Sequence, residues 1–177
     1  MTPVLLKSTG VLPESPALGK NMSIHPASKV MAVFDEIIDM ANAIPQGYAV
    51  DELAQEGIMF EGGSTPLDVT ALAVPWVGKR FTELMERFRH VATFGFLVED
   101  TARGEVRPGL KGSPLITYNV NAHDMARMQR ALAMLCDIFF AAGAKRVLPM
   151  VAGLEELDSP RDVDRLRTMR LSPGDFE

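Results

Sequence analysis

Between Asn121 and Gly143 the sequence sets Met125, Met128, Leu132, Leu135 and Phe139 at steps of three and four residues. This spacing predicts one long helix with a single apolar seam. Asn121 can cap its first turn, Asp124 lies where the positive end of the helix dipole favours a carboxylate, and Gly143 stands where a left-handed C-cap is expected. A seam of that length must be buried against something. The stretch from Val91 supplies a partner, because its apolar period falls to two. Ala92, Phe94, Phe96 and Val98 alternate with Thr93, Gly95 and Leu97, the pattern of a strand with a deeply buried face.

The remaining elements are shorter. Lys29 to Asp35 reads as a strand with Val30, Ala32 and Phe34 on one face and Met31 and Val33 on the other. Asp35 to Ala43 is expected to continue as a short helix ended by Pro45 and Gly47. Tyr48 to Leu53 and Ile58 to Glu61 read as strands, and Gly62-Gly63 stops the second. Asp68 to Ala73 and Lys79 to Arg89 carry helical patterns. In the latter, Phe81, Leu84, Met85 and Phe88 form one stripe. After a polar turn at Thr101 to Gly104, Glu105 to Arg107 is expected to pair back as a hairpin partner, and Pro114 to Val120 is another strand. Lys145 to Met150 reads as a strand, and Arg161 to Met169 as a last helix begun by Ser159-Pro160. Residues 1–28, broken by Pro3, Gly10, Pro13, Pro16, Gly19 and Pro26, read as irregular lead-in. Hairpin-like strands interrupted by helices give the fold class: α+β, an antiparallel sheet covered by helices on one side.

A chain of 177 residues, 47% hydrophobic and 23% charged, fits one folded domain. The net charge of −5 argues against a phosphate-neutralising surface, so no nucleic-acid partner is expected. A single cysteine, Cys136, excludes an internal disulfide and a cysteine-built metal cage, and suits a reducing compartment; a cytoplasmic location is expected. The opening residues have neither the apolar run nor the cleavage site of a signal peptide. No apolar stretch reaches the ~20 residues that span a bilayer.

Direct signs of chemistry are few. His25, His90 and His123 have no metal-ligand spacing, so no metal is expected. His25, in a loop before Pro26, reads as a backbone-bonded loop residue, and His123 as a capping or surface residue. There is no GxGxxG after a strand, no GxxxxGK(S/T) and no GxSxG. Cys136 sits beside the apolar seam, where a thiol is inert packing.

Several segments together resemble the glucose-methanol-choline (GMC) oxidoreductases, in particular their bacterial alcohol dehydrogenase and long-chain alcohol oxidase-like members. Thr2-Pro3-Val4-Leu5-Leu6-Lys7-Ser8 is similar to the second half of a family signature, a Thr-Pro, two aliphatic residues and a Ser-Gly, although Thr9 here separates Ser8 from Gly10. Leu18-Gly19-Lys20-Asn21-Met22 followed by His25-Pro26 is similar to the family's Gly-x-Asn-Leu run ending in His or His-Pro. Gly104-Glu105-Val106-Arg107 and Ile116-Thr117-Tyr118-Asn119 fall where the family's substrate domain has strands. Asp124 and the helix ending Phe140-Ala141-Ala142-Gly143-Ala144 match the helix and Ala-Gly-Ala run that follow.

The resemblance implies an FAD-dependent enzyme in which a histidine accepts the proton of an alcohol while hydride passes to the flavin. It also implies that the glycine-rich FAD turn and the His-Pro-x-Gly-Thr segment lie outside this chain. The expected organisation is then a lead-in from a flavin-binding domain at 1–28, a substrate-binding domain at 29–170 and an exit segment at 171–177. The isolated chain is expected to bind no cofactor and to be inactive. Its expected partners are an apolar alcohol substrate and the missing flavin-binding segments. The strand-face residues Phe94, Phe96, Val98 and Thr117 are the candidate substrate wall. The opposing possibility is that the Phe94 face packs under the helices. Two rival readings are a stand-alone domain enclosing an apolar ligand and a non-catalytic interaction remnant.

Overall fold

In the computed structural model, which describes residues 2–11 and 15–176, the long helix and the strand from Val91 pack against each other at the centre of the molecule. In chain order the elements are α1 (Thr2–Thr9), β1 (Ala27–Val33), β2 (Ala49–Val50), β3 (Ile58–Gly62), α2 (Leu67–Ala73), α3 (Lys79–Glu86), β4 (Val91–Val98), β5 (Glu105–Pro108), β6 (Pro114–Thr117), α4 (Ala122–Ala141), β7 (Arg146–Leu148) and α5 (Val163–Thr168). Five strands make a wholly antiparallel sheet in the order β2-β3-β4-β1-β7, and β5 and β6 make a separate ribbon. The fold is α+β.

The α4 seam behaves as its spacing requires. Asn121 Oδ1 accepts the Asp124 N–H at 2.8 Å, which closes the first turn. Gly143 ends the helix at φ 99°, a conformation that costs a residue without Cβ little. Met128, Leu132, Leu135 and Phe139 are buried against Val30, Ala32, Ile58, Phe60, Phe96 and Val98, and α5 closes the same core through Val163 and Leu166. The other face of the sheet is covered only at one end. There Met31, Val33, Val91 and Leu148 form a smaller core with Val74, Trp76 and Leu84 from the α2–α3 region. Arg80 stacks 3.7 Å over the Trp76 ring, whose Nε1–H donates to Glu155 at 2.9 Å.

Four local expectations change. The segment after β1 is not a helix but a 3₁₀ turn at Met40–Asn42. The N–H groups of Ile38 and Asp39 both donate to the Arg89 carbonyl, and Asp39 is left-handed, so a neighbouring segment takes the donors a helix would need. The strand expected from Tyr48 shrinks to Ala49–Val50, and Ala54–Glu56 forms a 3₁₀ turn. Glu105–Arg107 pairs with β6, not with β4, because both edges of β4 are already bonded to β1 and β3. Finally, Thr2–Thr9 is helical, with Pro3 in the first turn, where its missing N–H costs nothing.

The lead-in is also tied to the ribbon: Val106 N–H donates to the Gly19 carbonyl, and Met22 and Gly104 exchange backbone bonds. Leu171 and Phe176 reach back to the main core, where the Phe176 ring lies 6.5 Å from that of Phe96. Pro13 of the lead-in and Glu177 of the exit lie outside the described residues.

Candidate functional site

Because side chains alternate across a strand, β4 serves two surfaces at once. Phe96 and Val98 point beneath α4 and are 0% and 1% exposed. Phe94 is half-buried at the margin of the same core. Thr117 lies on the ribbon, exposed, outside the main sheet. The four candidate wall residues are therefore not brought together: Phe96 and Val98 are enclosed by core side chains, although Phe96 also borders the smaller and Val98 the larger of two clefts on the sheet. The packing settles which face α4 covers. It is the Phe94 face.

The opposite face holds the open surface. Its residues follow from the register: Lys29 opposes Gly95, which opposes Glu61, and Ala27 opposes Leu97, which opposes Met59. Two clefts open over these rows. The larger, about 450 Å³, is lined by Ile24, His25, Met59, Leu97 and Asp100 among others. The second, about 270 Å³, is lined by His25, Lys29, Glu61, Thr93, Gly95 and Leu97 among others. Leu97 and His25 border both. Thr93 closes the row toward the second core, and its N–H donates to Met40 Sδ at 3.0 Å.

Gly95 keeps the floor of the smaller cleft low. A Cβ there would meet only two backbone oxygens within 4 Å among the described residues, Ser28 O at 3.3 Å and Glu61 O at 3.9 Å. No side chain of the described residues comes within 4 Å of that position.

A buried polar latch anchors the rim of the larger cleft. Asp100 accepts the Ile24 N–H at 3.0 Å and the Tyr118 hydroxyl at 2.5 Å. Burial, and then the Asp100 carboxylate, push the Tyr118 hydroxyl well above its ordinary pKa, so it is a donor at neutral pH. Asp124, fully buried, accepts the N–H groups of Thr101 at 3.0 Å and Ala102 at 2.9 Å and the Thr101 hydroxyl at 2.8 Å. Burial alone would raise its carboxyl. The Ala102 and Thr101 bonds outweigh this and hold it below the ordinary carboxylate range. The latch thus ties the lead-in, the 99–104 loop, the ribbon and α4 to one another.

The histidines are dispersed in role. His25 is exposed on the rim of both clefts, His90 Nδ1 lies 2.9 Å from the Glu36 carbonyl oxygen, and His123 is exposed in the first turn of α4. Among the described residues no three His, Cys, Asp or Glu side chains gather to hold a metal ion. Cys136 is buried, and burial pushes its thiol far up. No helix of the described residues is long and apolar enough to cross a membrane.

No family model matches the chain. Its sequence relatives are informative. Two GMC-type oxidoreductases of Mycobacterium tuberculosis, from strains CDC 1551 and H37Rv, are each 32% identical over 168 residues, covering 94% of this chain and 26% of their own length. A third, from Sinorhizobium fredii, is 31% identical over 175 residues, covering 96% of this chain and 33% of its own. All three are named as uncharacterized. The chain belongs to the GMC oxidoreductase family.

It spans about a quarter to a third of the length of these GMC relatives. FAD, the cofactor the GMC family implies, needs a phosphate-binding turn between a strand and a helix. The residues described here do not fit that need. The sheet is antiparallel, and the amide of Asp124 at the start of α4 is taken by the Asn121 side chain. The GMC chain in hand offers a sheet face and its rim, not a nucleotide cradle. Sequence reasoning missed Gly95, Leu97, Lys29 and Glu61. The usable signal was Lys29, the one charged residue in β1, together with the small and polar alternation of Thr93 and Gly95.

Proposed function

We propose that this chain supplies the substrate-facing wall of an FAD-dependent oxidoreductase acting on the CH–OH group of an alcohol, in the cytoplasm. The wall is the open end of the sheet, floored by Gly95 and Leu97. The observation that carries this reading is the asymmetry of β4: one face is sealed by α4, while the alternate residues of the same strand floor two adjoining clefts. Phe96 and Val98 act from behind, holding the strand flat against the core. Phe94, at the margin of the α4 core, and Thr117, on the separate ribbon, line neither cleft.

The flavin, when bound to the whole enzyme, supplies the hydride acceptor, and segments other than those described here hold it and the proton-accepting histidine. This chain's residues shape the space, orient the alcohol and exclude water. Leu72 and Val77 of the α2–α3 region, 89% and 90% exposed, are apolar side chains that further protein would cover.

Co-expression of the chain, in FAD-supplemented cells, with the part of the Sinorhizobium fredii relative that it does not match tests the proposal. The expected result is a yellow complex that reduces an electron-accepting dye when alcohol is added. Leu97→Trp, which fills both clefts from their shared border, should lower kcat/KM by about tenfold or more, as loss of one well-placed contact does. Unchanged turnover in Leu97→Trp would remove the open face from the active site.

A further inference from the structure

The smaller cleft has a chemical character that the apolar expectation does not match. Lys29, Gly95 and Glu61 stand side by side in one row on three adjacent strands, with the two charged residues on either side of the glycine. The backbones that carry the charges are two strand spacings apart, roughly 9–10 Å. Glu61 accepts one bond, from Gln46 Nε2 at 3.3 Å, which leaves its other oxygen for a ligand. Among the described residues Lys29 makes no ion pair and no side-chain hydrogen bond, although both Lys29 and Glu61 are partly buried in the cleft wall. The gap over Gly95 holds them apart.

Four ligand classes meet this row differently. An aliphatic alcohol would cover an ammonium and a carboxylate without giving either a partner, which is unfavourable. An anionic alcohol would be drawn to Lys29 and repelled by Glu61, and a cationic one the reverse. A neutral polyol satisfies both, because each hydroxyl accepts from the ammonium and donates to the carboxylate. Resting on the substrate-wall reading above, we infer that the Lys29–Gly95–Glu61 row selects a neutral, polyhydroxylated alcohol.

The test is an amide chemical-shift titration of the full 177-residue chain with sorbitol, 1-octanol, glycerate and choline as probes. Sorbitol is expected to move the amides of Thr93, Gly95 and Glu61 more than the other three do. Lys29→Met and Glu61→Gln should each weaken the sorbitol response about tenfold, the worth of one charge-assisted hydrogen bond, with Lys29→Arg retaining most of it. Preserved dispersion of the remaining amides shows that each variant is folded. If octanol moves the open-face amides and sorbitol does not, the polyol assignment falls and the wall reading stands. A preference for glycerate or choline, or sorbitol binding that ignores both substitutions, also overturns it. If no probe moves any open-face amide, the wall reading itself falls and the row with it.

Discussion

The two faces of β4 are one sequence put to two uses. Beneath α4, Phe96 and Val98 join a continuous core that includes Val30, Phe60, Leu132 and Leu135. On the opposite face, Gly95 and Leu97 leave room, and the row through Gly95 carries Lys29 and Glu61 where the covered face carries Val30 and Phe60. The covered face spends its side chains on packing, and every apolar contact there stabilises the fold. The open face withholds them. A glycine and charges without an ion-pair partner among the described residues contribute little to stability.

The largest expected difference between the faces is in stability. Phe96→Ala should destabilise the chain by about 3–5 kcal/mol, read from urea or thermal unfolding, because it removes a fully enclosed ring. A cost below about 1 kcal/mol would mean that the core is not where the packing puts it.

Asp124→Ala comes next, at about 2–3 kcal/mol, because it strands the buried N–H of Ala102 and the partly buried N–H and hydroxyl of Thr101. This effect has a pH signature. The folded-state carboxyl is held below its unfolded value near 3.8, so its contribution is complete above that pH and disappears as pH falls through the lower, folded value. The gap between wild type and Asp124→Ala should therefore be constant at neutral pH and narrow below about pH 3.8. A gap that widened on acidification would reverse the assigned sign.

On the open face Leu97→Ala should cost only about 1 kcal/mol or less, since the side chain is only partly buried and borders open clefts. A penalty matching that of Phe96→Ala would erase the distinction between the faces. The smallest effect concerns Cys136. A thiol reagent should leave the native chain unlabelled and react fully once it is denatured, because the sulfur is enclosed and its thiolate disfavoured.

Much of the fold was legible in periodicity. The α4 seam, its Asn121 cap, its Gly143 terminus and the alternation of β1 and β4 each follow from a single strong pattern. The segments that misled were short ones whose backbone partners lie far away in sequence. Asp35–Ala43 loses its helical donors to Arg89, and β5 finds its partner only because β4 has no free edge. The site was harder to read for a physical reason. Alternation separates two faces but carries no label for which one a helix will cover, and large apolar residues such as Phe96 suit a ligand wall as well as a core. Lys29 breaks that symmetry, since a charge on the α4 side would have been buried without a partner.

The central claim, that the open end of the sheet faces the remainder of a GMC enzyme, is tested most directly by oxidative footprinting. The chain is measured alone and then with the part of the Sinorhizobium fredii relative that it does not match. Met59 and Leu97, on the open face, should lose most of their reactivity in the complex, while Ile138 on the outer side of α4, 46% exposed, keeps its own. Protection of Ile138 with Met59 and Leu97 unchanged, or no complex at all, would contradict the account.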